Sequence, residues 1–386
     1  MTATALPPFD VEATGFPVVQ PRSGDMPGDS YLSAEPENTL WGRLPCAADE
    51  PRTAVRPGDV ITVDTLSHEG ILEDQGRDPH DFFARYGIAG DAVLDDAAAL
   101  AASDSPHDFD LDGPHVITGP IAVRGAKPGD LLAITVLELV PRVPYGMVSA
   151  RHGFGALPGE MPTLPGPVIT FATAHADDRG AWGRMAADPN DPSRGALRFP
   201  LRPFLGVMGV AVPGDVRPHS VPPGRYGGNI DVALLGEGAT FYIPVQVDDA
   251  LAYFGDPHFA QGDGEVALTA FEASLRATVK LDVIPGGASM RPGNGRISPF
   301  AETADHLIPI GLDEDLDEAM RECVRCALDL LGTDYGIDRH TAMAYLSAAG
   351  DFAVSQVVDS VKGVHGAIRK ADFAEVSAPA EPGQDG

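Results

Sequence analysis

The chain has 386 residues, 44% of them hydrophobic, enough to bury a sizeable core as one large domain or two. Its formal charge of −29 argues against nucleic acid, which needs a basic footprint, and against electrostatic steering of an anionic substrate. No run approaches the roughly 18 apolar residues of a membrane span. The start Met1-Thr2-Ala3-Thr4-Ala5-Leu6-Pro7-Pro8 has neither a basic n-region nor an apolar h-region, so a cytoplasmic protein with no membrane partner is expected.

Residues 1–50 are Pro-rich and weakly patterned, and read as an irregular N-terminal arm. Pro57-Gly58-Asp59 is a turn feeding the alternation Val60-Ile61-Thr62-Val63-Asp64, and Pro128-Gly129-Asp130 feeds a second such strand. Two turn-plus-strand units suggest a β-sandwich or barrel. Residues 78–87 read as a short helix stopped by Gly87. The stretch 141–200 is rich in Gly and Pro and is expected to run as an excursion over the surface. Strand patterns return over 240–247 and 275–283. In the latter, Leu275, Ala277, Val279, Leu281 and Val283 alternate with polar residues, which predicts a half-buried strand.

The period then changes. Leu316, Ala319, Met320, Cys323, Val324, Ala327, Leu330 and Leu331 recur at helical spacing, with Asp313 as the expected N-cap and Gly332 as the stop. Cys323 and Cys326 fall on the apolar stripe, which points to core packing rather than redox or metal chemistry. A helix over 339–349, a strand over 353–359 and a flexible tail over 374–386 complete the reading. The fold class is α+β, mainly β, with a sandwich or barrel-like core and a few C-terminal helices, built as a single unit over 51–373.

The densest polar stretch is Gly255-Asp256-Pro257-His258-Phe259-Ala260-Gln261-Gly262-Asp263-Gly264-Glu265-Val266. Carboxylates beside apolar core are costly unless paired or bound to metal, and Asp, His and Glu suit a divalent ion. On one extended segment Asp256 and His258 share a face, about 6–7 Å apart along the strand. Asp263 and Glu265 repeat the spacing, although Gly262-Asp263-Gly264 also reads as a tight turn. Asp64, His68 and Glu69 form a second small polar group. His115, between turn residues and a strand, reads equally as a ligand or a hydrogen-bonder. Arg225, Asn229 and Asp231 occupy a Gly-rich loop whose bland reading is turn chemistry.

Three stretches resemble the acetamidase/formamidase family: Thr118-Gly119-Pro120-Ile121-Ala122-Val123-Arg124-Gly125-Ala126-Lys127-Pro128-Gly129-Asp130, Pro223-Gly224-Arg225-Tyr226-Gly227-Gly228-Asn229-Ile230-Asp231, and the segment from Asp256 to Glu265. Tyr335-Gly336-Ile337 and Leu346-Ser347-Ala348-Ala349-Gly350-Asp351 resemble its C-terminal pattern. The motifs keep the family's order across 55–373. Residues 1–50 and 141–200 match poorly, which leaves them to substrate choice or assembly. The resemblance implies a largely β homo-oligomer that hydrolyses a small linear or cyclic carboxamide to carboxylate and ammonia or amine, with a bound divalent metal, Zn before Ca or another ion. The expected ligands are His115, Asp231, Asp256, His258 and Asp64. Glu265 is the expected general base and acid, and Asn229 the expected oxyanion donor. His68, Gln261, Asp263 and Arg225 are expected around the substrate. The alternative is a non-catalytic β-sandwich binding protein with a structural divalent ion, Ca²⁺ in first place.

Overall fold

The computed structural model describes residues 9–288 and 298–376; residues 1–8 of the arm and 377–386 of the expected tail lie outside the described residues. Mainly β architecture with few helices is what the chain adopts. Among the described residues, two large sheets carry all of the strands. One has nine strands and includes Leu275–Ile284, which pairs antiparallel with Val60–Asp64 on one side and Leu131–Pro141 on the other. The other has eleven and is centred on Ala252–Ala260, flanked by Phe204–Val210 and Val116–Val123. Their inner faces meet in one cluster: Ile61, Val63, Ile134, Val136 and Phe241 from the first sheet, and Leu205, Met208, Phe254, Phe259 and Phe271 from the second. Each such side chain is worth about 1.5–3 kcal/mol on full burial.

The strand Leu275–Ile284 is buried on both faces along its first half, not half-buried as its alternation suggests. Arg276 and Thr278 are 1% and 3% exposed. The N-terminal arm covers that second face, and Arg276 donates to the carbonyls of Gln20, Ser23 and Asp25. The arm also supplies strands to both sheets. Ser30–Leu32 pairs parallel with Val60–Asp64, and Thr39–Trp41 pairs antiparallel with Val116–Val123. The stretch 141–200 holds the strands Tyr145–Arg151, Pro167–Asp177, Gly180–Ala186 and Ala196–Pro200, which extend the eleven-stranded sheet to its edge. Its longest irregular segment is 152–166.

The helix Leu316–Tyr335 lies on the strands His306–Asp313 and Lys362–Arg369, where Ala327 and Leu331 pack with Leu307 and Ile368. Two of its expected ends shift. The cap is Asp315, whose carboxylate accepts from the amides of Asp317 (2.9 Å) and Glu318 (3.1 Å), rather than Asp313. The helix continues past Gly332 to a left-handed Gly336 (φ 66°), because Tyr335 still has a partner, stacking on Phe373 at 4.4 Å. Cys323 is buried and Cys326 half-buried, and neither forms a disulfide among the described residues.

Candidate active site

Pairing of Ala252–Ala260 with Phe204–Val210 matches Gly255 to Val207 and Pro257 to Leu205, which sets Asp256 opposite Gly206. A Cβ at 206 would sit 2.5 Å from Asp256 Oδ2 and 2.9 Å from His258 Cε1, and closer still to Asp231 Oδ1. The missing side chain makes room for three polar groups to converge. Asp231, Asp256 and Glu265 all adopt left-handed backbone, with φ of 48°, 49° and 46°. Such conformations cost of order 1–3 kcal/mol each for non-glycine residues and cluster where function requires them.

Asp256 Oδ2 lies 3.0 Å from His258 Nε2, and Glu272 Oε1 lies 3.0 Å from the same nitrogen. His68 Nδ1 and His115 Nε2 approach Asp256 Oδ1 at 3.7 and 3.8 Å. Each imidazole is held from behind by its other nitrogen. Gln261 Oε1 is 3.0 Å from His258 Nδ1, Ser220 Oγ is 2.9 Å from His115 Nδ1, and Glu69 Oε1 is 3.5 Å from His68 Nε2. Backing of this kind fixes the tautomer and turns the free lone pair inward, as in sites that bind metal through His. Potential donor atoms fall into three overlapping triads: His68, His115 and Asp256; Asp231, His258 and Glu265; Asp256, His258 and Glu272.

The inward atoms share a second property. His68 Nδ1, Asn229 Oδ1, both oxygens of Asp231, Asp256 Oδ1, His258 Nε2, Glu272 Oε2 and Asp359 Oδ2 are buried without a hydrogen-bond partner. Isolated buried polar atoms are rare and costly, so their convergence on one place fits a cation between them. Charge points the same way. Burial, reinforced by one another's charge, pushes Asp231 and Glu265 well above the usual carboxylate range, raises Glu272, and raises Asp359 to about 8. Burial alone would raise Asp256, but His258, His115 and His68 hold it low. Burial alone would lower His258, and Glu272 and Asp256 outweigh it. His115, by contrast, is driven down to about 4 by burial and stays neutral near pH 7. Glu69 is held at about 2 against its burial by His68, Arg151 and Ser149.

A cavity of about 520 Å³ opens onto this cluster, with His68, His115, Asn229, Asp256, Glu265, Glu272 and Asp359 among its lining residues. Asp231 and His258 stand immediately behind that wall. Four expected positions fall elsewhere. Asp64 does not join the ligands, because Arg276 binds both its oxygens (2.6 and 2.9 Å) and Tyr31 Oη donates to one of them at 2.5 Å. Gln261 does not face substrate: its amide nitrogen donates to the carbonyls of Asp231 (2.8 Å) and Ser355 (3.1 Å) while its oxygen holds His258. Asp263 and Arg225 are exposed in turns and do not line the cavity. His68, expected beside substrate, stands among the donor atoms. Sequence reasoning missed Glu272 and Asp359. Each is a lone carboxylate after an apolar pair, Ala270-Phe271 and Val357-Val358, without the polar density that marks Asp256.

A two-sheet β protein with a deep His–carboxylate cavity is suited to hydrolytic chemistry, and the comparisons agree. The model of the acetamidase/formamidase family matches residues 91–219 and 214–367. Formamidase from Methylophilus methylotrophus is 27% identical over 313 residues, covering 67% of this chain and 76% of that protein. Acetamidase from Mycolicibacterium smegmatis is 30% identical over 235 residues, covering 48% of this chain and 57% of that protein. The crystal structure of an acetamidase from Bacillus halodurans superimposes with a TM-score of 0.69 at 27% identity, over 90% of this chain and all of that one. The chain belongs to the acetamidase/formamidase family. It is an amidase acting on non-peptide C–N bonds, and no helix among its described residues is long and apolar enough to cross a membrane.

Proposed function

We propose that the protein hydrolyses a primary carboxamide to carboxylate and ammonia with the help of a divalent cation, Zn²⁺ in first place, at the His–carboxylate cluster. The observation that carries this reading is the convergence of unpaired, buried donor atoms from His68, Asp231, Asp256, His258 and Glu272. The mixed N/O set with several imidazoles favours Zn²⁺ over Ca²⁺, which prefers oxygen. His68, His115, His258, Asp256 and Glu272 would hold the ion, with Asp231 behind them. When bound, such an ion supplies Lewis acidity, polarising the amide carbonyl and making water acidic enough to attack near neutral pH.

The chain's own groups supply the rest. Glu265 faces the cavity, 7% exposed, with its affinity for a proton raised by burial and by Asp359, Glu272 and Asp256. It takes the proton from the attacking water and returns it to the departing nitrogen. Asn229 Oδ1, buried and unpaired at the cavity wall, accepts from the N–H of the substrate amide and orients it. With its amide turned the other way, the same side chain presents Nδ2 to the developing oxyanion. Gln261, Ser220 and Glu69 keep the imidazoles turned inward. On this reading the protein acts as a homo-oligomer, as its family resemblance suggests, and in the cytoplasm, as the absence of a basic n-region and apolar h-region in Met1–Pro8 suggests.

The test is ammonia release from acetamide by protein of measured metal content, before chelation, after chelation and after metal is restored. Loss on chelation with recovery on restoring Zn²⁺ is the expected result. Full activity of protein shown to be free of metal sinks the cation while leaving the amidase.

A further inference from the structure

The cavity is larger than the smallest amides require. Formamide and acetamide have three and four non-hydrogen atoms and need roughly 100 Å³, judged against the ~30 Å³ share of a liquid water. The cavity measures about 520 Å³, within the roughly 300–1,000 Å³ range of pockets for much larger ligands. Its chemistry is graded. The deep end is polar and buried, as described above. Apolar side chains make up much of the remaining lining, Phe109, Phe154, Val221, Leu268 and Val358, interspersed with Asp110, Asp112 and Arg151. Phe109 and Phe154 are 42% and 62% exposed, so neither is explained by packing into the core. Phe154 is also placed. The segment carrying it is tied to the loop after Glu265 by the amide of Ala156 donating to the carbonyl of Val266 at 2.9 Å, while the amide of Phe154 donates to the carbonyl of Arg151. A side chain at 155 would be crowded, since a Cβ there would meet the carbonyls of Val266 and Ala267 at 3.1 Å.

We propose that this site takes primary amides whose acyl group is apolar and larger than acetyl, of arylacetyl or medium aliphatic size, and that Phe109 and Phe154 determine that preference. The proposal rests on the amide-hydrolysis reading above. In a primary amide the departing ammonia and the carbonyl belong at the polar end, so the acyl group is the part that reaches the aromatic mouth. One methylene in an apolar pocket is worth about tenfold or more in kcat/KM.

The test compares formamide, acetamide, hexanamide, phenylacetamide and acetanilide as substrates of the metal-loaded full chain, following ammonia or, for acetanilide, aniline. The expected result is kcat/KM for hexanamide and phenylacetamide at least about tenfold above acetamide. Phe154→Ala and Phe109→Ala should each lower the phenylacetamide-to-acetamide ratio, by on the order of tenfold for the stronger of the two, and Phe154→Leu should retain part of it. Hydrolysis confined to formamide and acetamide, or a ratio unchanged in both alanine variants, overturns this inference and leaves the amidase standing. Preference for acetanilide overturns the assignment of the apolar group to the acyl side. Hydrolysis of none of the five overturns the amide-hydrolysis reading as well.

Discussion

Two buried ionic clusters lie a few residues apart in this protein and are built on opposite principles. Around Asp64 and Asp96 every charge is answered. Arg276 binds both oxygens of Asp64, Arg142 binds both oxygens of Asp96 at 2.8 and 3.1 Å, and the spare guanidinium hydrogens reach the carbonyls of residues 19–25. None of these four side chains has a buried atom left unpaired. Around Asp256 the balance fails. Asp231, Glu265, Glu272 and Asp359 join it with only three imidazoles, and the unpaired atoms point at one another. The first cluster ties the N-terminal arm to the nine-stranded sheet. The second leaves buried donor atoms unpaired, which the proposed cation and substrate would answer. Burial of charge alone does not mark an active site; burial of charge left unanswered does.

The strongest way to separate the clusters is to touch the unanswered one without changing its shape. Glu265→Gln keeps the size of the side chain and removes the proposed base, and kcat should fall by about 10²–10⁴-fold while metal content and thermal midpoint stay close to wild type. Unchanged turnover would remove Glu265 from the reaction. The matching change in the answered cluster is Arg276→Ala, which strands Asp64 in the core. Breaking a buried pair on one side costs about 3–5 kcal/mol. Chemical denaturation should show that loss, accompanied by faster proteolysis near residues 20–31 as the arm is released. A loss under 1 kcal/mol would mean that the pair is solvated in a way its burial does not suggest.

Most of the architecture was legible in the sequence because it rests on local period: alternation at 275–283, helical spacing from Leu316, and turn chemistry at Pro57-Gly58-Asp59 and Pro128-Gly129-Asp130. What escaped was set by partners far along the chain. Asp64 looked like a ligand beside His68, and only Arg276, 212 residues away, shows that its carboxylate is spoken for. Gln261 looked available to substrate until the carbonyls of Asp231 and Ser355 and the ring of His258 claimed both its ends. Asp256 and His258 were visible because the strand itself brings them together. Glu272 was hidden by the brevity of its strand, Phe271–Glu272, which shows no alternation. Asp359 follows the edge strand Asp351–Gln356, where a carboxylate reads as a turn former.

Two smaller effects sharpen the contrast. Asp359→Asn removes one of the unanswered carboxylates, and metal-free protein should become more stable by about 1 kcal/mol, as often happens when strain at a functional site is relieved. A thermal midpoint that falls instead would show that Asp359 is structurally paired. The last prediction concerns Tyr31, whose hydroxyl donates to Asp64 and whose ionisation is pushed up to about 12 by burial and then by Asp64. A pKa raised in the folded state favours the neutral phenol there. The corresponding stability is present in full below the unfolded value near 10 and is lost as pH rises from 10 through 12. Tyr31→Phe forfeits the hydrogen bond, at about 1 kcal/mol near pH 7, but has no such alkaline loss. The stability gap between wild type and variant should therefore narrow steadily from pH 10 to pH 12 in denaturant titrations. A gap that stays constant over that interval would mean that Tyr31 ionises as freely in the folded protein as in the unfolded chain, and that the answered cluster is more open to water than its hydrogen bonds imply.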